Sequence, residues 1–554
     1  MLNRCTAGIK RATFQKSPYA LLAAARLELD NKAGAWSAAE RDHGRALADL
    51  LFAAERRRLT AAESAREVEL KGALGDLERE LAAYQKASLV DTTEEAAQKF
   101  EKARSRLLSA ELEWRAFQAE ITRKYPITEG QIYPLDRVQA SLDNKTALIG
   151  WLDADVKDDD YISWVYVVRQ RGPVIWARLA TPEEGRGLHD VRARLLREAL
   201  ASPAALQSGT RLHARQLWVE RFAPISRALN GVEHLVVIPS GVMLGIPVES
   251  LIDKNGTYLC DKYAISYTPS ATIHAWLAER SRTNDRNEAT LLVGDPPFDE
   301  THLIAPSGEE ETPSTAKLPS VASILAGNEA SVSSLPRLPA TRHEVTSIAS
   351  IVPLPRVFLG SDASEQKLAV LASSGKIKGF NVIHIATHAL IDNERPGRSA
   401  LVLSQVGLPD PLQAAKEGRR IHDGFVTATE IVGEWDLSAE LVTLSACETG
   451  LGRVVRGEGY IGFSHAFLQS GARSLLASLW KVEDRATALL MQRFYENLFR
   501  ERDVEGHVRE EHIQKAIALQ EAKQWLRNYT NADGEQPFAH PYYWSAFILI
   551  GDRE

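Results

Sequence analysis

A histidine and a cysteine each stand at the end of a short apolar run: His388 follows residues 381–387, and Cys447 follows residues 440–446. Both runs are rich in aliphatic and β-branched residues, a pattern typical of buried parallel strands in an α/β sheet. Because ligands bind at the carboxyl ends of such strands, the two side chains are predicted to meet at one edge of the sheet. An imidazole can take the proton of a neighbouring thiol, so the pair predicts acyl transfer, most simply peptide hydrolysis. A buried structural role for each residue is the alternative.

Three other kinds of site fit these residues less well. His384 and His388 are four residues apart, which on a strand separates them by about 13 Å, too far to share a zinc ion. We therefore assign His384 to the core. Ser445 lacks the sharp Gly-x-Ser-x-Gly turn of a serine hydrolase, and the glycines within residues 450–459 lack the lysine of a phosphate-binding loop. The sequence therefore predicts neither a metal nor a cofactor.

Composition places the chain among globular proteins of several domains. Its 554 residues are 44% hydrophobic and carry a formal net charge of −7 without a basic stripe, so nucleic acid is not expected as a partner. Three cysteines, Cys5, Cys260 and Cys447, are too few for a disulfide scaffold and favour a reducing, cytoplasmic location. Direct membrane insertion is not expected either, because no apolar run is long enough to span a bilayer.

Three regions follow from the periodicity of the apolar residues. Residues 1–127 have the spacing of amphipathic helices, which predicts a helical hairpin or coiled-coil region. Residues 128–290 switch to strand-like runs and hold no complete nucleophile set. In residues 291–554 strands and helices alternate, which predicts a doubly wound, mostly parallel sheet. The polar segments 295–339 and 405–423 are predicted to be exposed loops.

Several long motifs follow one another in a fixed order: 235–239 with 246–247, 294–296, 338–344, the His388 strand, 444–452 with 457–459, 472–484 and 540–551. In sequence and order they resemble the CHAT domain, a caspase-like peptidase family related to separase. The resemblance implies a cysteine endopeptidase with a His388–Cys447 dyad and no carboxylate orienter, in which residues 128–290 form a non-catalytic half. Glu448 could act as a third catalytic member, but adjacent residues of a strand point to opposite faces, so a role as a loop-anchoring or helix N-terminal carboxylate is favoured. Such proteins usually place glycine after the histidine; here it is Ala389, whose backbone amide would form the oxyanion hole with that of Cys447.

The resemblance also implies how a substrate would bind. In caspase-like enzymes the substrate pairs as an added strand, here with the backbone of Ser478, Leu479, Trp480 and Lys481. Asp484 lies where separase-like enzymes keep an acid for a basic P1 side chain, which it would select through charge-assisted bonds. Helix capping is the alternative role for Asp484. A basic P1 preference would give four candidate self-cleavage sites, Arg419, Arg420, Arg453 and Arg456.

Many CHAT proteins carry tetratricopeptide repeats on their amino-terminal side, so residues 1–127 resemble the end of such an array. Successive units of about 34 residues cannot be aligned there, so repeats are not assigned. These helices are expected either to bind a regulatory protein partner or to present a solvated face. A non-catalytic CHAT scaffold that acts only through protein interactions is the alternative to an active peptidase. Because both His388 and Cys447 are retained, the peptidase is favoured.

Overall fold

A computed structural model describes the following residues: 18–43, 47–48, 51, 60–88, 93–124, 131–157, 160–180, 186–280, 289–299, 335–392, 395–409, 413–414, 417, 421–445, 454–455, 459–460, 462–500 and 514–554.

The amino-terminal region is helical, as its periodicity predicts. Its described helices are α1 (Pro18–Glu28), α2 (Lys32–Asp42), α3 (Ala61–Ser88) and α4 (Glu94–Lys124). Ion pairs join α3 to α4: Glu63 lies 2.5 Å from Lys124, and Glu80 lies 2.7 Å from Arg106. Since the earlier residue of α3 pairs with the later residue of α4, the two helices form an antiparallel hairpin.

In the described part of the chain, the strands that follow build one large sheet and two small ones. They are β1 (Thr146–Lys157), β2 (Asp160–Arg169), β3 (Ile175–Arg178), β4 (His234–Ile238), β5 (Ala264–Tyr267), β6 (Thr290–Gly294), β7 (Pro355–Leu359), β8 (Val382–Ala386), β9 (His388–Leu390), β10 (Ala400–Val402), β11 (Phe425–Thr427), β12 (Leu441–Ser445), β13 (Val454–Val455), β14 (Gly459–Tyr460), β15 (Ser474–Ser478) and β16 (Phe547–Gly551). The large sheet has eleven strands in the order β3-β2-β1-β4-β5-β16-β15-β12-β8-β6-β7.

Two parallel blocks meet inside this sheet. Strands β1, β4, β5 and β16 run in one direction, and β15, β12, β8, β6 and β7 run in the other. The blocks join where β15 pairs antiparallel with β16. The carboxyl ends of the two blocks therefore lie at opposite edges of one continuous sheet.

Helices cover both faces of the sheet. Alternate residues of β8 enter two separate cores: Val382 joins the larger core, and Ile383 and Ile385 join the smaller one. The helices after the hairpin are α5 (Leu135–Ala140), α6 (Arg186–Leu200), α7 (Gln207–Arg221), α8 (Ala271–Glu279), α9 (Pro339–Ala349), α10 (Glu365–Ser373), α11 (Ala428–Glu434), α12 (Phe463–Gln469), α13 (Asp484–Leu498), α14 (Lys515–Arg527) and α15 (Pro541–Trp544). Helices α9, α13 and α14 pack on the larger core, and α10, α11 and α12 on the smaller. The expected doubly wound, mostly parallel α/β fold is confirmed.

Some of the sequence predictions are wrong in detail. His388 does not end the β8 strand but begins β9, and β9, β10 and β11 form a separate antiparallel sheet. The predicted loop 295–339 is ordered at both of its ends, because Phe298 and Leu335 are buried in an apolar cluster with β9, β10 and β11. Among the described helices, none is long and apolar enough to cross a membrane.

Candidate functional site

His388 is positioned by a sharp change from the large sheet to the small one. The chain leaves β8 at Ala386, and the hydroxyl of Thr387 donates a hydrogen bond to the carbonyl of Val402. His388 then pairs with Val402 as the first residue of β9. The residue is fully buried, so its ring contacts protein atoms rather than solvent.

The imidazole of His388 contacts Pro336 and Phe298. Its Nε2 lies 2.8 Å from the carbonyl oxygen of Pro336. The ring of Phe298 lies 5.0 Å away, measured between centroids, at a tilt of 45°. Because a carbonyl oxygen only accepts hydrogen bonds, Nε2 must carry the proton in this contact. In the neutral ring, Nδ1 is then the basic nitrogen.

Cys447 lies outside the described residues, and the description of this strand ends at Ser445. Strand β12 lies between β8 and β15, with Ser445 opposite Ala386 and Leu444 opposite Ala477. The chain therefore leaves β12 after Ser445 at the edge where the neighbouring strands end. His388 comes two residues after Ala386 on one side. Ser445 itself is buried, and its hydroxyl has no hydrogen-bond partner in the described part of the chain, so no described base activates it.

The four residues expected to pair with substrate differ in how much of their backbone is available. Ser478 is the last residue of β15, paired with Phe547, and is buried. The amide of Leu479 already donates to the carbonyl of Ala546 at 2.9 Å. The indole of Trp480 donates to the carbonyl of Tyr542 at 3.0 Å, and Lys481 is exposed. The backbone of Ser478 and Leu479 is therefore already paired with residues 546–547.

Asp484 is the first residue of α13, and the capping position belongs to Glu483, which makes no capping hydrogen bond with its side chain. Burial and the nearby Glu344 raise the pKa of Asp484 to about 7, although Lys481 lowers it. At neutral pH this carboxyl group is therefore divided between its neutral and charged forms. Such a group gains charge when a cation is placed beside it.

His384 belongs to the core, as expected. Its Nε2 lies 2.9 Å from a carboxylate oxygen of Glu344, and its Nδ1 lies 3.3 Å from the hydroxyl of Tyr495. That hydroxyl is also 2.9 Å from the hydroxyl of Thr443 on β12. These contacts connect helices α9 and α13 to strands β8 and β12 on one face of the sheet. Among the described residues, no group of three or more His, Cys, Asp or Glu side chains is placed to hold a metal ion.

Ala389 lies within β9 opposite Leu401, and it is not among the described residues with positive φ. Glycine is therefore not required at this position, and alanine causes no backbone strain. The four arginines expected as self-cleavage sites, Arg419, Arg420, Arg453 and Arg456, and the acid Glu448 all lie outside the described residues.

Sequence reasoning missed the neighbours of His388. Pro336 and Phe298 lie inside a segment predicted to be a loop. Pro336 acts through a backbone carbonyl, which leaves no signal in side-chain types. The motifs 294–296 and 338–344 bracket this segment, and their presence could have indicated that its two ends are ordered.

Comparison with known families decides the classification. The family model described as "CHAT domain" matches residues 211–552. The chain belongs to the CHAT domain family. The other sequence similarities are weaker. Tetratricopeptide repeat protein 28 of Mus musculus is 29% identical over 127 residues, 23% of this chain and 4% of that protein. The Homo sapiens protein of the same name is 24% identical over 234 residues, 39% of this chain and 8% of that protein.

Solved structures with a similar fold include two kinds of protein. The separase of Saccharomyces cerevisiae, in complex with securin, matches 75% of this CHAT protein and 30% of its own chain, with 10% identity and a TM-score of 0.38. The Arg-specific cysteine proteinase gingipain R matches 66% of this chain and 74% of its own, with 9% identity and a TM-score of 0.33. This CHAT chain spans less than a tenth of the length of the two tetratricopeptide repeat proteins.

Proposed function

We propose that this CHAT protein is a cysteine endopeptidase that uses His388 as base and Cys447 as nucleophile. One observation supports the proposal: Ser445, the last residue of β12 and two residues before Cys447, lies opposite Ala386, two residues before the buried His388. Such convergence at strand ends is where α/β proteins bind their ligands.

The reaction follows from the contact between His388 and Pro336. With its proton on Nε2, the imidazole accepts the thiol proton of Cys447 at Nδ1. The thiolate sulfur then attacks the peptide carbonyl carbon, and the backbone amides of Ala389 and Cys447 would stabilise the oxyanion. When the carbon–nitrogen bond breaks, His388 returns the proton to the leaving amine. A water molecule, deprotonated by the same Nδ1, hydrolyses the acyl-enzyme and frees the thiol.

Recognition is proposed to lie beyond β15. The backbone of Trp480 and Lys481 would pair with an extended peptide, and Asp484 would attract a basic P1 side chain. Binding of a cation favours the charged form of an acid. A basic P1 residue would therefore draw Asp484, whose pKa is about 7, towards its ionised state. A protein or peptide is accordingly the proposed substrate, with a regulatory protein bound at the amino-terminal helices.

The alternative function, a non-catalytic CHAT scaffold, also has support from one observation. His388 is fully buried, with Phe298 beside its ring, and the amide of Leu479 is already bonded to Ala546. A substrate must displace some of these contacts to reach the imidazole. An active enzyme would therefore open this edge, whereas a scaffold would keep it closed.

A peptide-library cleavage assay separates the two functions. The wild-type chain is expected to cleave peptides, and Cys447→Ala and His388→Ala are each expected to abolish cleavage. The exposed His343 provides a matched control, because His343→Ala removes a histidine without touching the site. Cleavage that persists in Cys447→Ala would disprove the dyad. Absence of cleavage by the wild type, with and without a partner of the amino-terminal helices, would favour the scaffold.

A further inference from the structure

Asp295 is a buried acid in an unusual backbone conformation. It follows β6, is 3% exposed and has a φ of 49°, in the left-handed region that side chains other than glycine rarely adopt. The residue before it, Gly294, packs so closely on α9 that a Cβ atom there would lie 2.7 Å from Val345. The end of β6 and the start of α9 are thus in direct contact.

The side chain and backbone of Asp295 hold the segment 336–342 at three points. One carboxylate oxygen lies 2.6 Å from Nε of Arg342, and the guanidinium of Arg337 lies 3.4 Å from the same carboxylate. The amide of Asp295 donates to the hydroxyl of Thr341 at 3.0 Å. That hydroxyl donates in turn to the carbonyl of Leu338 at 2.6 Å.

The held segment begins at the residue that contacts the histidine. Pro336 directly precedes Arg337, and its carbonyl oxygen lies 2.8 Å from Nε2 of His388. Rotation of the peptide between Pro336 and Arg337 would turn this oxygen away from the ring. The ion pair of Arg337 with Asp295 opposes that rotation, since the guanidinium side chain is 12% exposed and the carboxylate 2%.

We propose that Asp295 is a positioning residue for His388. It fixes the carbonyl of Pro336, which keeps the proton of His388 on Nε2 and leaves Nδ1 as the base. The inference rests on the proposed function, because the Nε2–H tautomer is the one in which Nδ1 can accept the proton of Cys447. Asp295 acts through Arg337 and Pro336 and is not assigned any contact with substrate. A histidine in the wrong tautomer cannot serve as the base at the required nitrogen.

The alternative hypothesis is that Asp295 has only a structural role, as part of an ion pair that joins β6 to α9. The non-catalytic half provides a matched carboxylate for this distinction. Asp253 is 2% exposed, pairs with Lys262 at 2.5 Å and accepts hydrogen bonds from the amides of Asn255 and Thr257. Asp253→Asn therefore removes a similar ion pair at a place with no described contact to His388.

The experiment compares Asp295→Asn with Asp253→Asn in the full chain labelled with ¹⁵N-histidine. The His388 signals are assigned by their loss in His388→Ala. We expect wild type and Asp253→Asn to show the Nε2–H tautomer, and Asp295→Asn to show a mixture of both tautomers. Iodoacetamide labelling of Cys447 at pH 7 should slow by up to about tenfold in Asp295→Asn, no more than is expected on removal of His388 itself, with an altered pH profile.

Two outcomes decide the inference. An unchanged His388 tautomer in Asp295→Asn would overturn it and leave Asp295 with a structural role. If Asp295→Asn does not fold, Arg337→Gln replaces it as the test, because this variant leaves the Arg342 pair intact. Arg337→Gln is expected to give the same mixture of tautomers. An unchanged His388 tautomer in Arg337→Gln would equally overturn the inference. Failure of the proposed function would give a different result. Cys447 of the wild type would then be labelled slowly, while the tautomer of His388 could still be measured.

Discussion

The two parallel blocks of the sheet differ in the contacts that a buried acid makes at their carboxyl ends. In the block of β1, β4, β5 and β16, Asp153 of β1 pairs directly with Arg221 of α7 at 3.0 Å, and their side chains are 4% and 0% exposed. The hydroxyl of Ser163 joins both groups. In the block of β15, β12, β8, β6 and β7, Asp295 contacts Arg337 and Arg342, and the carbonyl of Pro336, the residue before Arg337, contacts His388.

The geometry next to Asp153 shows how completely the first edge is closed. Gly241 follows β4 with a φ of 54°, and a Cβ atom there would lie 1.8 Å from the carboxylate of Asp153. The amide of Val242 also points to this carboxylate, at 3.4 Å. The backbone has thus folded over the acid and its arginine. Both acids pair directly with arginine, but the contacts of Asp153 end at its own ion pair, whereas those of Asp295 continue through Arg337 and the carbonyl of Pro336 to the ring of His388.

The largest effect is expected from breaking the closed edge. Arg221→Met leaves Asp153 buried without its counter-ion, which should lower the free energy of unfolding by about 3–5 kcal/mol. Urea denaturation measures this loss. The control is Arg215→Met on the same helix, because in the described chain Arg215 hydrogen-bonds only to the carbonyl of Lys254, at 3.4 Å. Its replacement should cost about 0.5 kcal/mol or less. Equal destabilisation by the two substitutions would break the comparison, as would a loss of peptide cleavage in correctly folded Arg221→Met.

A second prediction concerns the contact between the amino-terminal hairpin and α11. Arg79 of α3 is 8% exposed and pairs with Glu430. Glu430 forms a capping box with Thr427 of β11, in the sheet that also holds His388. Arg79→Ala should weaken the docking of the hairpin by about 2–3 kcal/mol, because it removes hydrogen bonds to charged groups. Faster hydrogen exchange of the amides in residues 61–88 would report this weaker docking. The control, Arg66→Ala, removes an exposed ion pair of the same helix and should change the exchange rates little.

The same contact should depend on pH. Burial, Glu365 and Glu430 raise the pKa of Asp423 to about 8, and Arg79 lowers it. A carboxyl group with a raised pKa in the fold stabilises it below the unfolded value of 3.8, and this contribution is lost as the pH rises through about 8. The protection of the amides in residues 61–88, that is, their exchange rate relative to that of an unstructured peptide at the same pH, should therefore fall from about pH 4 to pH 8, more steeply in Arg79→Ala. Protection that does not change with pH in either protein would contradict this account of the acidic cluster.

The smallest effect is expected at Asp484. Because its pKa is about 7, the preference for Arg or Lys at P1 should rise between about pH 6 and pH 8, as the carboxylate forms. Asp484→Asn should reduce that preference roughly tenfold at the upper pH, in the ratio of kcat/KM for basic and neutral P1 residues. The neighbouring exposed Glu483, changed to Gln, is the control. An unchanged ratio in Asp484→Asn would remove Asp484 from the substrate pocket.

The sequence predicts those parts of the molecule in which side-chain type decides the structure. Continuous β-branched runs identify β4 and β12, and Ser364 caps α10 as its position before the apolar residues indicates. The three-residue strand β11 is too short to leave a periodic signal. Contacts through the backbone, such as that of Pro336, carry no side-chain signature. Pairs between residues far apart, such as Arg79 with Glu430, depend on how the hairpin packs.

The most direct test of the central claim is the reactivity of the three cysteines. Burial raises the pKa of Cys260 to about 12, so this thiol should react slowly with iodoacetamide at pH 7. Cys447 is expected to react roughly ten times faster than Cys5 or Cys260, and His388→Ala should remove that advantage while His343→Ala preserves it. Equal labelling of all three cysteines in the folded protein, or labelling of Cys447 that does not change in His388→Ala, would contradict the dyad.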